Sequence, residues 1–389
     1  MTRVLATVTP LGWITVAASF GAWLLGWRLG WIELVLAAAA GLFAFLLCAA
    51  LTAGRTQLRV SVELQPFRLV AGMTADGLVE ITNTSKARLL PITLELPVGP
   101  KALQFDVPGV GAGRAHLERF EVPTSRRGVI PVGPATTVRG DPLGLLRRAV
   151  PWTEVRELFV HPATVPLEPL GSGLLRDLEG RTTNDISMSD LAFHALREYA
   201  PGDDRRYIHW RSSAKLTGAV PDGRFMVRQF LDTRRAHLTV IVDDDRDAYH
   251  DPEHFELAVS AGASVAVRAI RDELDTTVLA GRYPVHDGTV ALALDAFARA
   301  ELGTSALSTL AARGVRIAPA TSVALLVTGA GPGLPELRRA AAQFSAEVNV
   351  VVVRVDPGAP AGMSSAGSLT LLSLRQLGDL PALLKGGLP

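Results

Sequence analysis

The chain has 389 residues, 48% of them apolar, and sets 39 Lys and Arg against 38 Asp and Glu for a formal charge of +1. That balance excludes a global electrostatic pull toward nucleic acid or anionic lipid, so any charged partner site must be local. The single cysteine, Cys48, lies in an apolar run, which excludes disulfides, thiolate zinc sites and a cysteine nucleophile.

No charged residue occurs between Arg3 and Arg28, nor between Glu33 and Arg55. Each run exceeds the roughly 20 apolar residues that a spanning helix needs, so residues 1–54 are predicted to form two transmembrane helices in contact with lipid through 4–27 and 32–54. The short connection at Arg28-Leu29-Gly30 predicts a tight antiparallel hairpin, and Trp13, Trp27 and Trp31 suit the interfacial belt. A cleaved signal peptide followed by one anchor is the alternative, but the first run is long for such a peptide. Arg3, Arg55, Arg59 and Arg68 flank the spans, against one Arg near one Glu in the connection; the bias predicts that both termini and the soluble domains face the cytoplasm.

From Gln57 the period changes to two. Leu58, Val60, Val62 and Leu64, then Leu78 to Thr82, then Ile92 to Leu96, alternate between faces and are separated by Pro, Gly and Asn-Thr-Ser breaks. Residues 55–166 are therefore predicted to be a β-sandwich-like domain. Asn83-Thr84-Ser85 reads as a turn there. In Asp141-Pro142-Leu143-Gly144 the carboxylate is placed to bond its own downstream backbone, with Gly144 at positive φ, and Arg139-Gly140-Asp141 is too short to carry an adhesion function. Residues 167–190 are rich in Gly, Ser, Thr and Asp and read as a linker.

The stretch Leu196 to Phe230 packs Arg197, Glu198, Asp203, Asp204, Arg205, Arg206, Arg211, Lys215 and Arg228 around Tyr199, Ile208, Trp210 and Phe225. Pro201-Gly202-Asp203 reads as a turn, Trp210 to Lys215 as a short helix stopped at Gly218, and Arg224 to Phe230 as a strand. Charges this close pair with one another. A phosphate or nucleic-acid patch built on the basic groups is opposed by Glu198, Asp203 and Asp204, and an acid/base site in Asp203 to Arg206 is equally explained as an ion-pair network.

The order Arg197-Glu198-Tyr199, Pro201-Gly202-Asp203, an Arg before Ile208 and Trp210, Ser213-Ala214, then Val227-Arg228 resembles the signature of the bacterial family catalogued as domain of unknown function 58. Thr124 to Val129, Arg139 to Leu145 and the strand leading to His161-Pro162 are similar to segments preceding that signature, so the resemblance spans most of the chain. It implies a membrane hairpin, a β-rich segment and a von Willebrand factor A-like α/β domain, at the bacterial inner membrane. It also implies association with a MoxR-type AAA+ ATPase.

Residues 191–389 fit an α/β domain with a mainly parallel sheet: apolar strands at 238–242, 276–280, 323–328 and 348–353 alternate with helical patterns at 252–271, 290–302 and 335–344. A ligand crevice is then expected beyond the strands' carboxyl ends, first after Val242. There stand Asp243, Asp245 and Asp247, where the resembled domain carries Asp-x-Ser-x-Ser around a divalent ion. Oxygen ligands at alternate positions suit Mg²⁺ or Ca²⁺. Thr328-Gly329, however, occupies the place of the distant Asp-Gly, so a hard-cation site and an acidic strand-end loop paired with Arg or solvated both stand. Gly329 to Gly333 lacks a phosphate loop's spacing and its Lys-Ser/Thr, with Pro332 removing a donor. His250 and His254 are separated by Pro252, expected at a helix start.

The combined expectation is a membrane-anchored, non-enzymatic scaffold that docks a protein partner through the clasp Arg197, Glu198, Tyr199, Gly202, Asp203, Arg205, Arg206, Trp210 and Arg228, with no cofactor, nucleic acid or small-molecule substrate. The alternative is a metal-dependent, adhesion-type ligand-binding domain using Asp243, Asp245 and Asp247.

Overall fold

The computed structural model describes residues 8–52, 57–170, 192–201, 203–217, 225–231, 236–367 and 369–386. Two compact units divide at His161–Pro162. Gly202 and the expected linker residues 171–190 lie outside the described residues.

The first unit opens with two helices, α1 (Pro10–Leu29) and α2 (Ile32–Thr52). Thr9 caps α1 by accepting from the Gly12 N–H, Pro10 begins it where no N–H is needed, and Gly30 ends it at φ 68°. The helices run antiparallel and close together: a side chain at Gly41 would strike Ser19. Their outer faces expose Ile14, Phe20, Trp27, Leu36 and Phe43, apolar surface that water does not favour. Among the described residues, one helix, Ile32–Ala50, is both long and apolar enough to cross a membrane.

Ten strands follow: β1 (Leu58–Gln65), β2 (Arg68–Val70), β3 (Ala75–Asn83), β4 (Ile92–Val98), β5 (Lys101–Val107), β6 (Ala115–Val122), β7 (Gly128–Val132), β8 (Thr136–Gly140), β9 (Arg147–Pro151) and β10 (Arg156–His161). They make a three-stranded sheet, β1-β3-β6, and a second in the order β2-β10-β7-β4-β8-β9, with β5 on β4. The period-two residues Leu58, Val60, Val62 and Leu64 meet Leu94, Leu96 and Leu158 in one core. Asn83 ends β3 buried, its amide donating to the carbonyls of Ala87, Val110 and Gly111 while Ser85 donates back to it, so the Asn-Thr-Ser triplet is a structural turn.

Asp141 has a local structural task as well. Its carboxylate accepts from the N–H groups of Leu143 (2.9 Å), Leu145 (3.2 Å) and Leu146 (2.5 Å), and Gly144 takes φ 68°. Burial disfavours the charge, but these N–H groups and the Cys48 thiol outweigh it and push the carboxyl down to about 2. The turn meets the helices: Thr9 donates from N and Oγ1 to the Leu145 carbonyl, and Leu145 and Leu146 pack on Cys48.

The second unit begins earlier than the expected boundary at 166. Val165, Leu167 and Leu170 pack into its core, the Val165 N–H donates to Ser264 (3.1 Å), and that of Leu170 donates to Asp272 (3.0 Å). Three prolines in 162–169 hide this extended segment from periodicity. A two-stranded antiparallel ribbon, β11 (Ala192–Glu198) and β12 (Met226–Leu231), carries between its strands a 3₁₀ turn (Arg205–Tyr207) and helix α3 (Trp210–Thr217).

Next come β13 (His237–Val242), α4 (Pro252–Arg271), β14 (Asp275–Ala280), β15 (Val285–His286), α5 (Val290–Ala298) and α6 (Leu307–Ile317). Then follow β16 (Val323–Thr328), α7 (Leu334–Ala341), β17 (Asn349–Val355), β18 (Gly362–Ala366), β19 (Leu369–Leu374) and α8 (Leu380–Leu384). The seven-stranded sheet has the order β15-β14-β13-β16-β17-β19-β18, parallel within and antiparallel at both edges. Both faces are covered. Leu238, Val240 and Val242 pack against α4 and α5, while Ile241 meets Leu307 and Leu310 of α6 on the opposite side.

Candidate functional site

The signature segment folds as a small module. His209 precedes α3, and its carbonyl accepts from the N–H groups of Ser212 and Ser213 while its Nδ1 meets Ser212 Oγ at 2.8 Å. Ser213, buried on the inner face, donates to the His209 carbonyl (3.0 Å) and accepts from the Met226 N–H (2.8 Å), which ties the helix to β12. Ile208 and Val227 form the apolar centre beside it. Ser213→Ala is expected to cost about 1–2 kcal/mol, because it strands a buried N–H, and amide hydrogen exchange at Met226 reads the loss.

Arg197 lies on β11 and grips Asp203 with both ends of its guanidinium: Nη1 to Oδ2 and Nη2 to Oδ1, each at 2.7 Å. Asp203 also accepts from the Ala200 N–H (2.9 Å), so the ion pair holds the turn between them. Arg197 first, then that N–H, hold the Asp203 carboxyl below its usual range. Asp204 caps the 3₁₀ turn through the Arg206 N–H, while Arg205, Arg206 and Arg228 carry exposed side chains and Glu198 ends β11 exposed.

The aromatic residues depart from the expected arrangement. Tyr199 is half-buried, but Trp210 stands 63% exposed rather than beneath the clasp, and Phe225 is 41% exposed. The eight-residue α3 turns Ser213 inward and leaves Trp210, at its first position, facing out. Phe225 joins the two, edge-on to Tyr199 with centroids 6.5 Å apart and to Trp210 at 5.8 Å.

The acidic loop follows β13, at the carboxyl end of the sheet. Asp243 is 1% exposed, and its Oδ2 accepts from Thr328 Oγ1 (2.6 Å) while its Oδ1 accepts from the Asp245 N–H (3.1 Å). Tyr249 OH donates to its carbonyl at 2.8 Å. Burial pushes the Asp243 carboxyl up to about 7 against those hydrogen bonds, with Asp245 and Asp244 adding repulsion. Burial also raises Asp244, which accepts from Ser305 N and Oγ, and lifts the Tyr249 phenol well above its ordinary value. Asp245 turns its Oδ1 to the Asp247 N–H at 3.1 Å, and Asp247 is exposed.

These carboxylates serve local turns. Asp243, Asp245 and Asp247 do not bring their ligand atoms within 4.8 Å of one another; among the described residues a different trio does. Asp243 is enclosed by Thr328 and backbone, and Asp245 and Asp247 are spent on the turns that follow it. The glycine loop is likewise consumed by packing: side chains at Gly329 or Gly331 would run into the backbone of Asp247 and Ala248, and the Gly331 N–H donates to the Ala248 carbonyl at 2.9 Å. Asp251 caps α4 with Pro252 at its first turn, leaving His250 outside the helix.

From sequence, Thr328 reads only as a replacement for an acid and Ser213 only as part of the signature pair Ser213-Ala214, while Ser305 is not singled out. The position of Thr328 at a strand's carboxyl end and the place of Ser213 in the signature were the available signals; Ser305 had none.

No protein-family model and no curated protein matches the chain. Among solved structures it is similar to the CARDB domain of a Pyrococcus furiosus protein in complex with di-metal ions, with 14% identity over 27% of this chain and 93% of that one and a TM-score of 0.22. It is also similar to the C-terminal domain of wzt, at 12% identity over 28% of this chain and 77% of that one, with a TM-score of 0.21. A third is the alkylpurine DNA glycosylase AlkC of Pseudomonas fluorescens bound to DNA containing an abasic site analog, at 12% identity over 33% and 38% of the two chains, TM-score 0.20. Likenesses of this size carry no argument about fold or function.

Proposed function

We propose that this chain is a membrane-anchored, non-enzymatic scaffold whose second unit docks a protein partner through the signature module. The observation that carries this reading is the Trp210–Phe225 pair, left exposed in a module whose Arg205, Arg206, Arg211 and Arg228 are also exposed. Trp and Arg are the side chains that dominate protein-binding hot spots, and a ring held by a neighbour loses little freedom on binding. The Arg197–Asp203 pair fixes the turn from which that surface is built.

The partner in this reading is a MoxR-type AAA+ ATPase, and the mainly parallel sheet is a von Willebrand factor A-like domain; both rest on the resemblance to the domain-of-unknown-function-58 family. The anchor is a transmembrane hairpin in the bacterial inner membrane, supported by the outward apolar faces of both helices. Both termini face the cytoplasm, where ATP-driven motion of the partner is transmitted to the membrane.

The tagged full-length chain, extracted in detergent from its native cells, is expected to bring down an AAA+ ATPase identified by mass spectrometry. The Arg197→Ala, Asp203→Ala double variant, with its fold verified by circular dichroism, is expected to lose it. Recovery by the folded variant would move docking away from the module, and absence of any such ATPase would overturn the partner.

A further inference from the structure

We propose that His237, His286 and Asp287 form a site for one divalent transition-metal ion of the zinc class, at the end of the sheet opposite the acidic loop. Among the described residues these three alone of the His, Cys, Asp and Glu side chains form a group with ligand atoms within 4.8 Å of one another. His237 is the first residue of β13, His286 belongs to the edge strand β15, and Asp287 follows it. Parallel pairing of β13 with β14, and antiparallel pairing of β14 with β15, bring the three together.

The geometry has the parts of a coordination shell. His286 Nε2 and Asp287 Oδ2 are 3.1 Å apart. Two ligands about 2.0–2.1 Å from a tetrahedral zinc lie about 3.3 Å from each other, so this pair is already near its bite distance. The imidazoles of His237 and His286 stack with centroids 5.4 Å apart and planes 21° apart. The ligand atoms of the three residues all lie within 4.8 Å of one another, against about 3.3 Å in a tetrahedral shell.

Thr277 supplies the supporting shell. It is fully buried, and its Oγ1 lies 2.8 Å from His237 Nε2 and 2.7 Å from His286 Nδ1. One hydroxyl touches one nitrogen of each ring, and by accepting an N–H from both it would leave the opposite nitrogens free to coordinate, the task that outer-shell partners of ligating histidines perform. Asp287 is a non-glycine residue at φ 49°, fixed by its N–H donating to the Thr276 carbonyl at 3.0 Å, and this conformation is sparsely populated without a local reason. Asp275, in register with His237, adds a second carboxylate to the field. Two imidazoles and a carboxylate suit zinc, cobalt or nickel rather than calcium or magnesium, and three protein ligands leave a fourth position to water.

The test is a cobalt(II) titration of the full-length chain in detergent, purified on a tag without histidines and stripped with a chelator. One equivalent of cobalt with four-coordinate d–d absorption is expected, displaced by zinc. His286 is half-exposed, so His286→Ala leaves the core intact and is expected to abolish the signal, whereas the isosteric Thr277→Val is expected to weaken binding by about 10- to 100-fold. A chain that takes up no stoichiometric cobalt, or a His286→Ala variant that binds as the native chain does, would overturn the site and leave a closed hydrogen-bond chain from His237 through Thr277 and His286 to Asp287.

Discussion

Asp243→Asn is expected to stabilise the second unit at pH 8 and to leave it nearly unchanged at pH 4. The native carboxyl titrates at about 7 in the folded chain against an ordinary 3.8. Between those values the unfolded chain releases the proton while the folded chain keeps it, so the folded state binds more protons and its stability falls as pH rises. The loss begins near pH 4, is complete just above pH 7, and totals at most about 4 kcal/mol at 1.36 kcal/mol per unit. An amide in the same place has no proton to release and still offers Oδ1 to the Asp245 N–H. Amide hydrogen exchange on β13 and β16, measured for both chains at each pH, reads the difference. A gap that does not widen from pH 4 to pH 8 would show Asp243 to be ionised at ordinary cost. Thr328 is central to the argument, since its hydroxyl is the side-chain donor that moderates the buried charge.

Much of the fold was legible because burial imposes a period. β1 and β4 announce themselves through residues that alternate into one core, and β13, β14, β16 and β17 through runs apolar on both faces of a covered sheet. α4 carries its cap and its starting proline in the sequence. What stayed hidden lacks such a period. β15 has two residues, β18 presents a polar edge, and 162–170 is extended but proline-broken. In the signature, the opposed charges of Arg197 and Asp203 forecast a pair, whereas the outward turn of Trp210 depends on which face of an eight-residue helix Ser213 takes. Spacing alone could not say that the alternating aspartates serve successive turns, because the same spacing serves a cation. The meeting of His237 with His286 is set by strand order, which no local pattern encodes.

Trp210→Ala is expected to separate binding from folding. With 63% of its surface already in water, Trp210 contributes little to the module's core, so its removal is expected to change stability by no more than about 0.5 kcal/mol. If the module is the docking surface, the same change removes a ring that becomes buried only in the complex, and affinity for the ATPase falls by about 30- to 1,000-fold, the range of an aromatic hot spot. Phe225→Ala is the harsher companion, because Phe225 supports Tyr199 on one edge and Trp210 on the other, and its loss lets both rings move. Calorimetry with the purified ATPase and the full chain in nanodiscs measures both. Equal affinity in the native chain and the Trp210→Ala variant would place the partner elsewhere. Loss of both affinity and stability would mean that the ring belongs to the fold, against its exposure. Only the asymmetric result, weak binding by a fully stable chain, identifies a surface kept apolar for a partner, because it separates the ring's role in binding from any role in folding.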